Sequence, residues 1–299
     1  MFFITICPAF ALIFVRPSQR IPAQSGLDEK YLLMFKIFRK SCAKLVQYSE
    51  IKSMKKYYYF LLIVLATSCQ VTETLHLNED GSGSLEVVEL RDEHSYMQLV
   101  KEDYSKEEVY KDTTFYFKDY YIKYAETFNR TGKEDQDVYY TYADVKVHIK
   151  KSSYDKEFKT TISQNFKKAT DLVDLYKAEN YADDIKFNYS LAAEEHYYKV
   201  SYDFVSDKFN RIVKITDATH FRNKVEYVEN WKNHYKGHRV TQSFVLDYHF
   251  PRKIKSVSNS SAKISPDKKS LKLEFLLSDC MQNPEITNLE VILESAEVD

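Results

Sequence analysis

Hydrophobic and polar positions alternate with period two over much of the chain beyond residue 70, and this rhythm predicts strands. Leu75 and Leu77 alternate with His76 and Asn78, Glu79-Asp80-Gly81-Ser82-Gly83 interrupts, and Leu85, Val87 and Glu89 resume the pattern. Asp-Gly between alternating runs is a hairpin signal because glycine tolerates the positive φ of a tight turn. Residues 72–90 therefore read as a β-hairpin whose turn rests on Asp80, Gly81 and Gly83. The same alternation marks Val145–Ile149, His196–Phe204, Val240–Phe250, Leu271–Leu277 and Leu289–Leu293. Two stretches have helical spacing instead. Asp92–Lys106 sets Tyr96 or Met97, Val100 and Tyr104 behind an aspartate cap, and Tyr154–Asn180 repeats Phe158, Ile162, Phe166, Ala169, Leu172 or Val173, and Tyr176 every three or four residues. Strands with one apolar and one wet face imply antiparallel pairing. The predicted class is α+β: a β-rich antiparallel sheet with one or two helices packed on one face.

The segment MKKYYYFLLIVLATSC, from Met54 to Cys69, follows a different logic. Lys55 and Lys56 form a basic start, Tyr57–Leu65 an apolar run, and Ala66-Thr67-Ser68 a small-residue step, the three parts of a secretory signal. With Cys69 directly behind, the segment resembles the bacterial lipoprotein signal, in which the cysteine is acylated and becomes the first residue of the mature protein. Ala66 stands where leucine is common, a looseness similar to that of Bacteroidetes-type lipoproteins. The apolar run is about half the roughly 20 residues that a spanning helix needs, which disfavours a membrane anchor. The expected organisation is residues 1–53 as an upstream extension ahead of the true initiator Met54, 54–68 as signal peptide, and 69–299 as one mature envelope domain. The competing reading of the start, a membrane segment in MFFITICPAFALIFV, meets the same shortage of length.

On that division the mature part has 231 residues, with 33 Lys and Arg against 41 Asp and Glu, a net charge of −8. The whole-chain charge of −1 conceals this asymmetry. A negative body argues against nonspecific nucleic-acid binding, which depends on neutralising phosphates. Membrane attachment then has to come from acyl chains, of which two suffice for stable anchoring. Cys7 and Cys42 fall in the discarded part and Cys69 carries lipid, so Cys280 alone is left and no internal disulfide is expected.

Candidate chemistry is sparse. Counting an EF-hand loop from Gly81 as position six puts His76 at one and Val87 at twelve, and neither can ligate calcium there. His234 and His238 have the i, i+4 spacing of a helical metal site, but Gly237 lies between them and no HExxH pattern is present. No P-loop, GxGxxG or GxSxG occurs. Neither a metal nor a cofactor is expected. Asn129, Asn188 and Asn259 begin glycosylation sequons that matter only in a eukaryotic secretory pathway. The 25 tyrosines, dense at Phe115–Tyr124 and Asp137–Tyr142, suit strand positions where the ring packs and the hydroxyl reaches water, or a face that stacks on sugars together with Trp231.

Two segments, ETLHLNEDGSGSLEVVEL and the stretch from Tyr248 to Glu294 that opens YHFPRKIKS, resemble the opening hairpin and closing strands of the LppM-type lipoprotein domain. The resemblance implies a β-rich envelope domain and assigns no catalytic residue. The expected function is a non-enzymatic, lipid-anchored binding or structural module with a protein or glycan partner. It would sit on the periplasmic side of the outer membrane, with surface exposure as the variant. Rival readings are a carbohydrate-binding lipoprotein and an envelope hydrolase using separated residues such as His196, His220 or His249.

Overall fold

In the computed structural model of the chain, residues 70–92, 110–155, 157–187, 197–234 and 242–295 are described. The opening hairpin pairs β1 (Gln70–Leu77) with β2 (Gly83–Asp92), antiparallel and in continuous register from Gln70↔Leu90 to Leu77↔Gly83. Next come β3 (Tyr110–Tyr116), three short helices α1 (Lys118–Lys123), α2 (Ala125–Phe128) and α3 (Lys133–Thr141), and strands β4 (Lys146–Ser152) and β5 (Glu157–Phe166). Two 3-10 turns (Ala169–Asp171 and Leu175–Lys177) lead into α4 (Ala178–Phe187). After β6 (Tyr198–Val205), β7 (Lys208–Ile215) and α5 (Ala218–His234) come β8 (Ser243–His249), β9 (Ile254–Val257), β10 (Lys263–Ile264) and β11 (Ser270–Leu276). The chain closes with α6 (Leu277–Gln282), a 3-10 turn (Pro284–Thr287) and β12 (Leu289–Leu293).

The strands form two sheets. Eight lie in the order β10-β11-β8-β1-β2-β5-β4-β3 and four in the order β6-β7-β12-β9. The predicted α+β class holds, with three corrections. The second sheet was not expected, six α-helices rather than one or two stand among the described residues, and β1 pairs with β8 in parallel. The parallel pair exists because the hairpin sits in the middle of the large sheet, flanked by a strand made more than 160 residues later.

One face of the large sheet is apolar, as the alternation requires: Val71, Leu75 and Leu77 of β1, Leu85 and Val87 of β2, Ile162 and Phe166 of β5, and Phe244, Leu246 and Tyr248 of β8 are all buried. The small sheet meets it through Val200, Tyr202, Phe209, Val213, Leu289 and Val291, in one continuous core. Ring contacts record the junction, with Phe209 edge-on to Tyr248 and to Phe250 at centroid separations of 5.6 Å each. Phe117, Phe128, Tyr139, Tyr142 and Tyr181 of the helical segments belong to the same core, Tyr142 and Tyr181 meeting edge-on at 5.1 Å.

The helix predicted over Tyr154–Asn180 is a strand for its first half. Phe158, Ile162 and Phe166 are four apart, a spacing that suits one helix face and one strand face equally. The Thr160-Thr161-Ile162 run, stiff at χ1, fits the pleat, and β2 and β4 pair with β5 on both sides. The tyrosine-rich 118–124 and 137–142, in contrast, lie in or beside α1 and α3, not in strands. The predicted helix at Asp92–Lys106 falls almost wholly outside the described residues, of which only Asp92 is part, as the last residue of β2.

Candidate functional site

Of the residues singled out from the sequence, the turn set is well defined. The Asp80 carboxylate accepts hydrogen bonds from the Ser82 amide at 3.0 Å and the Ser82 hydroxyl at 2.6 Å. Gly81 has φ +80, a conformation that L side chains rarely adopt. Gly83 is needed for a different reason. A Cβ there would lie 2.0 Å from the His76 carbonyl oxygen and 2.7 Å from Phe166 Cζ, so β1 and β2 could not approach as they do. Cys69 lies outside the described residues, directly before Gln70, which opens β1.

The two segments that suggested a common domain meet in space. β1 pairs with β8, and Arg252 from YHFPRK places its Nε 2.9 Å from the Glu79 carboxylate of the hairpin loop. The same guanidinium reaches Asp207 at 2.6 Å and the Glu294 carbonyl at 2.8 Å. One arginine thus ties the β1–β2 loop, the β6–β7 turn and the end of β12 together.

The largest concentration of buried polar groups was missed from sequence. Glu73, on β1, is fully buried in the apolar row of Val71, Leu75 and Leu77. Arg211, on β7, is 2 % exposed and sits in the row of Phe209 and Val213. The guanidinium holds the carboxylate by a fork, Nε to Oε1 at 3.0 Å and Nη2 to Oε2 at 3.0 Å. Tyr176 donates to Oε2 at 2.5 Å, Tyr202 donates to Oε1 at 2.9 Å, and Tyr248 also donates to Oε1. Arg211 Nη1 donates to the Thr287 hydroxyl at 2.7 Å and carbonyl at 3.2 Å. Burial pushes the Glu73 carboxyl up, but the charge and hydrogen bonds of Arg211, helped by Tyr176 and Tyr248, outweigh it and hold the pKa below the usual value. Burial and then the Glu73 charge keep all three phenols well above theirs. Both carboxylate oxygens are engaged from several sides, which makes this a clamp between the sheets. A signal for it was present: a charged residue at an inward-facing position of each strand.

Asp174 supports the clamp from one side. Its carboxylate accepts from the amides of Tyr176 at 3.2 Å and Val200 at 3.1 Å, fixing the 3-10 turn that carries Tyr176 against β6. Burial raises its pKa against the pull of Lys177.

A second acidic group lies toward the Asp92 end of the same face. Burial and then repulsion by Glu179 of α4 push Glu89 of β2 up to about 8. Burial and then Asp183 push Glu179 up to about 7, against attraction from Lys151 and Lys111. One Glu179 oxygen is enclosed and accepts no hydrogen bond among the described residues.

Of the histidines proposed for hydrolysis, His220 and His249 are among the described residues, and each has an acidic neighbour of its own. His220 pairs with Asp217 three residues away at 2.9 Å, and His249 stacks on His76 at 4.4 Å with Asp247 3.2 Å from its Nε2. Burial and then His249 lower the His76 pKa. His196 and His238 lie outside the described residues, and His234 ends α5. Among the described residues no group of three or more His, Cys, Asp or Glu is placed to hold a metal ion. No helix among them is long and apolar enough to cross a membrane.

No family model and no curated protein matches the sequence. Among solved structures, the chain is similar to the folded domain of the Mycobacterium tuberculosis LppM protein, determined by NMR. The likeness covers 78 % of this chain and 96 % of that one at 9 % identity, with a TM-score of 0.31. A similarity at that level carries no argument about activity or ligand.

Proposed function

We propose that this chain is a lipid-anchored bacterial envelope protein whose α+β domain serves as a non-enzymatic binding or structural module. Its acylated residue is Cys69, and the domain faces the periplasm from the outer membrane. The observation that carries the reading is the junction at Cys69. A signal-like run ends there, and the first strand of the fold begins at the next residue. Every described element of both sheets lies beyond residues 1–68. The non-enzymatic part of the reading draws support from the clamp, whose charged groups are spent on one another and on tyrosine hydroxyls. Partners are then a protein or glycan met at the surface.

Intact mass with metabolic fatty-acid labelling, on the wild type and Cys69→Ser, tests the anchor. The wild type is expected to begin at residue 69 with acyl mass attached, and the variant to lose the label and stay unprocessed. Equal masses and equal labelling in the two would overturn the proposal.

A further inference from the structure

The point where β1 starts fixes more than attachment. Gln70 lies in the interior of the large sheet, fourth of eight strands, and Cys69 is one Cα step of about 3.8 Å away. An acyl anchor at that position has no spacer. Strands stand about 4.8 Å apart, so the residues paired with Gln70 on neighbouring strands lie roughly 5 to 10 Å from it. That is comparable to the headgroup layer, about 5 to 8 Å on each side of the hydrocarbon.

In that row Leu90 and Leu276 are apolar and exposed, and Ser243 between Gln70 and Leu276 is polar and buried. Leu90 of β2 pairs with Gln70 itself. On the other side Gln70 pairs with Ser243 of β8, which pairs with Leu276 of β11. Directly paired residues share a face, so Leu276 and Leu90 flank the anchored strand on the sheet's outer side, 51 % and 40 % exposed. Elsewhere that face carries Thr72, Thr74, Glu86, Thr161 and Lys272, polar as on a solvated face, with Val245 as a buried apolar position among them. Further along the same edge, Lys159 pairs with Leu90 and Lys150 with Lys159. Tyr110 and Tyr154, at the start of β3 and in the β4–β5 turn, are 67 % and 65 % exposed. Leucine beside the anchor with tyrosine and lysine outward is the residue order of a surface half-immersed at a membrane interface.

We infer that the edge of the large sheet bearing Leu276, Leu90, Tyr110 and Tyr154 rests on the bilayer, so that the domain stands end-on with its strands rising from the membrane. The inference rests on acylation of Cys69. The occupant is a lipid surface and not a protein, because a partner on this edge would need a tether that the sequence between Cys69 and β1 does not supply.

Bimane attached at Leu276→Cys or at Leu90→Cys reads this row, and Ile264→Cys serves as the distant control. Ile264 is exposed on β10 and aligns through Leu271 and Tyr248 with Leu75, five residues and roughly 17 Å along the strand from Gln70. Cys280 is buried and does not compete for the label. The mature lipoprotein is reconstituted into phosphatidylethanolamine and phosphatidylglycerol vesicles that include lipids with a nitroxide near the headgroup. Labels at 276 and 90 are expected to be quenched several-fold more than at 264, and to be shielded from iodide in water. Two labelled sites keep the reading available should one variant not fold. Equal quenching at all three positions, with fatty acid present on Cys69, overturns the end-on placement alone. Shielding from iodide without nitroxide quenching also overturns it, by showing a protein over the edge. Absence of fatty acid on Cys69 overturns the anchor and the placement together.

Discussion

Replacing Glu73 by glutamine removes the anion that Arg211 faces while leaving its size almost unchanged. The guanidinium, 2 % exposed, then loses the carboxylate that it contacts. The new amide NH2 must also face either Arg211 or a tyrosine hydroxyl, donor against donor, because all five hydrogen bonds at this carboxylate are donated to it. Removing one partner of a buried ion pair costs about 3–5 kcal/mol. For a domain of this size each kcal/mol lowers the unfolding midpoint by about 2–4 °C, so a fall of roughly 6–20 °C is expected. Scanning calorimetry on detergent-solubilised protein measures it directly.

The companion variants sharpen the test. Arg211→Met leaves a carboxylate that still has three phenol donors and can take up a proton, so it should be milder than Glu73→Gln, and milder at pH 5 than at pH 8. Glu73→Leu with Arg211→Met removes both charges, a change that is often neutral for an isolated pair. Here it strands the hydroxyls of Tyr176, Tyr202 and Tyr248 at about 1–3 kcal/mol each, so stability should not return. A midpoint shift below about 2 °C for Glu73→Gln, or full recovery in the double variant, would refute the inter-sheet clamp.

Three further outcomes are expected. Burial and neighbouring acidic groups push the Glu89 and Glu179 carboxyls up, to about 8 and about 7. Their stabilising contribution is therefore complete below about pH 4.5, falls progressively as pH rises, and is gone once pH has passed through 7 to 8; urea titrations from about pH 4.5 to 8 should show the loss, flattened in Glu179→Gln. Gly83→Ala, with its Cβ driven onto the His76 carbonyl, should cost more than Gly81→Ala, where a positive φ is the obstacle at about 1–2 kcal/mol; urea midpoints rank the two. Asp174→Ala leaves the Val200 and Tyr176 amides without their acceptor and should loosen the turn that carries Tyr176, seen as faster hydrogen exchange at those two amides.

The hairpin and the strands near residues 145, 200, 245, 273 and 291 were legible because period-two alternation is a local property of a half-buried strand. The Phe158–Phe166 stretch was not, since a spacing of four satisfies both periods and only the partners on either side decide. The second sheet left no local trace, because which strands share a sheet is settled by long-range pairing. The clamp was half legible. Glu73 and Arg211 each break an apolar row, but nothing along the chain says that the two breaks face each other across 138 residues. The three tyrosines that complete it are lost among 25.

The parallel pairing of β1 with β8 also bears on how the protein reaches its final form. The opening strand emerges first yet cannot be enclosed until Ser243–His249 has followed it. Until that strand arrives, the unpaired edge of β1 is a bare template for the wrong strand.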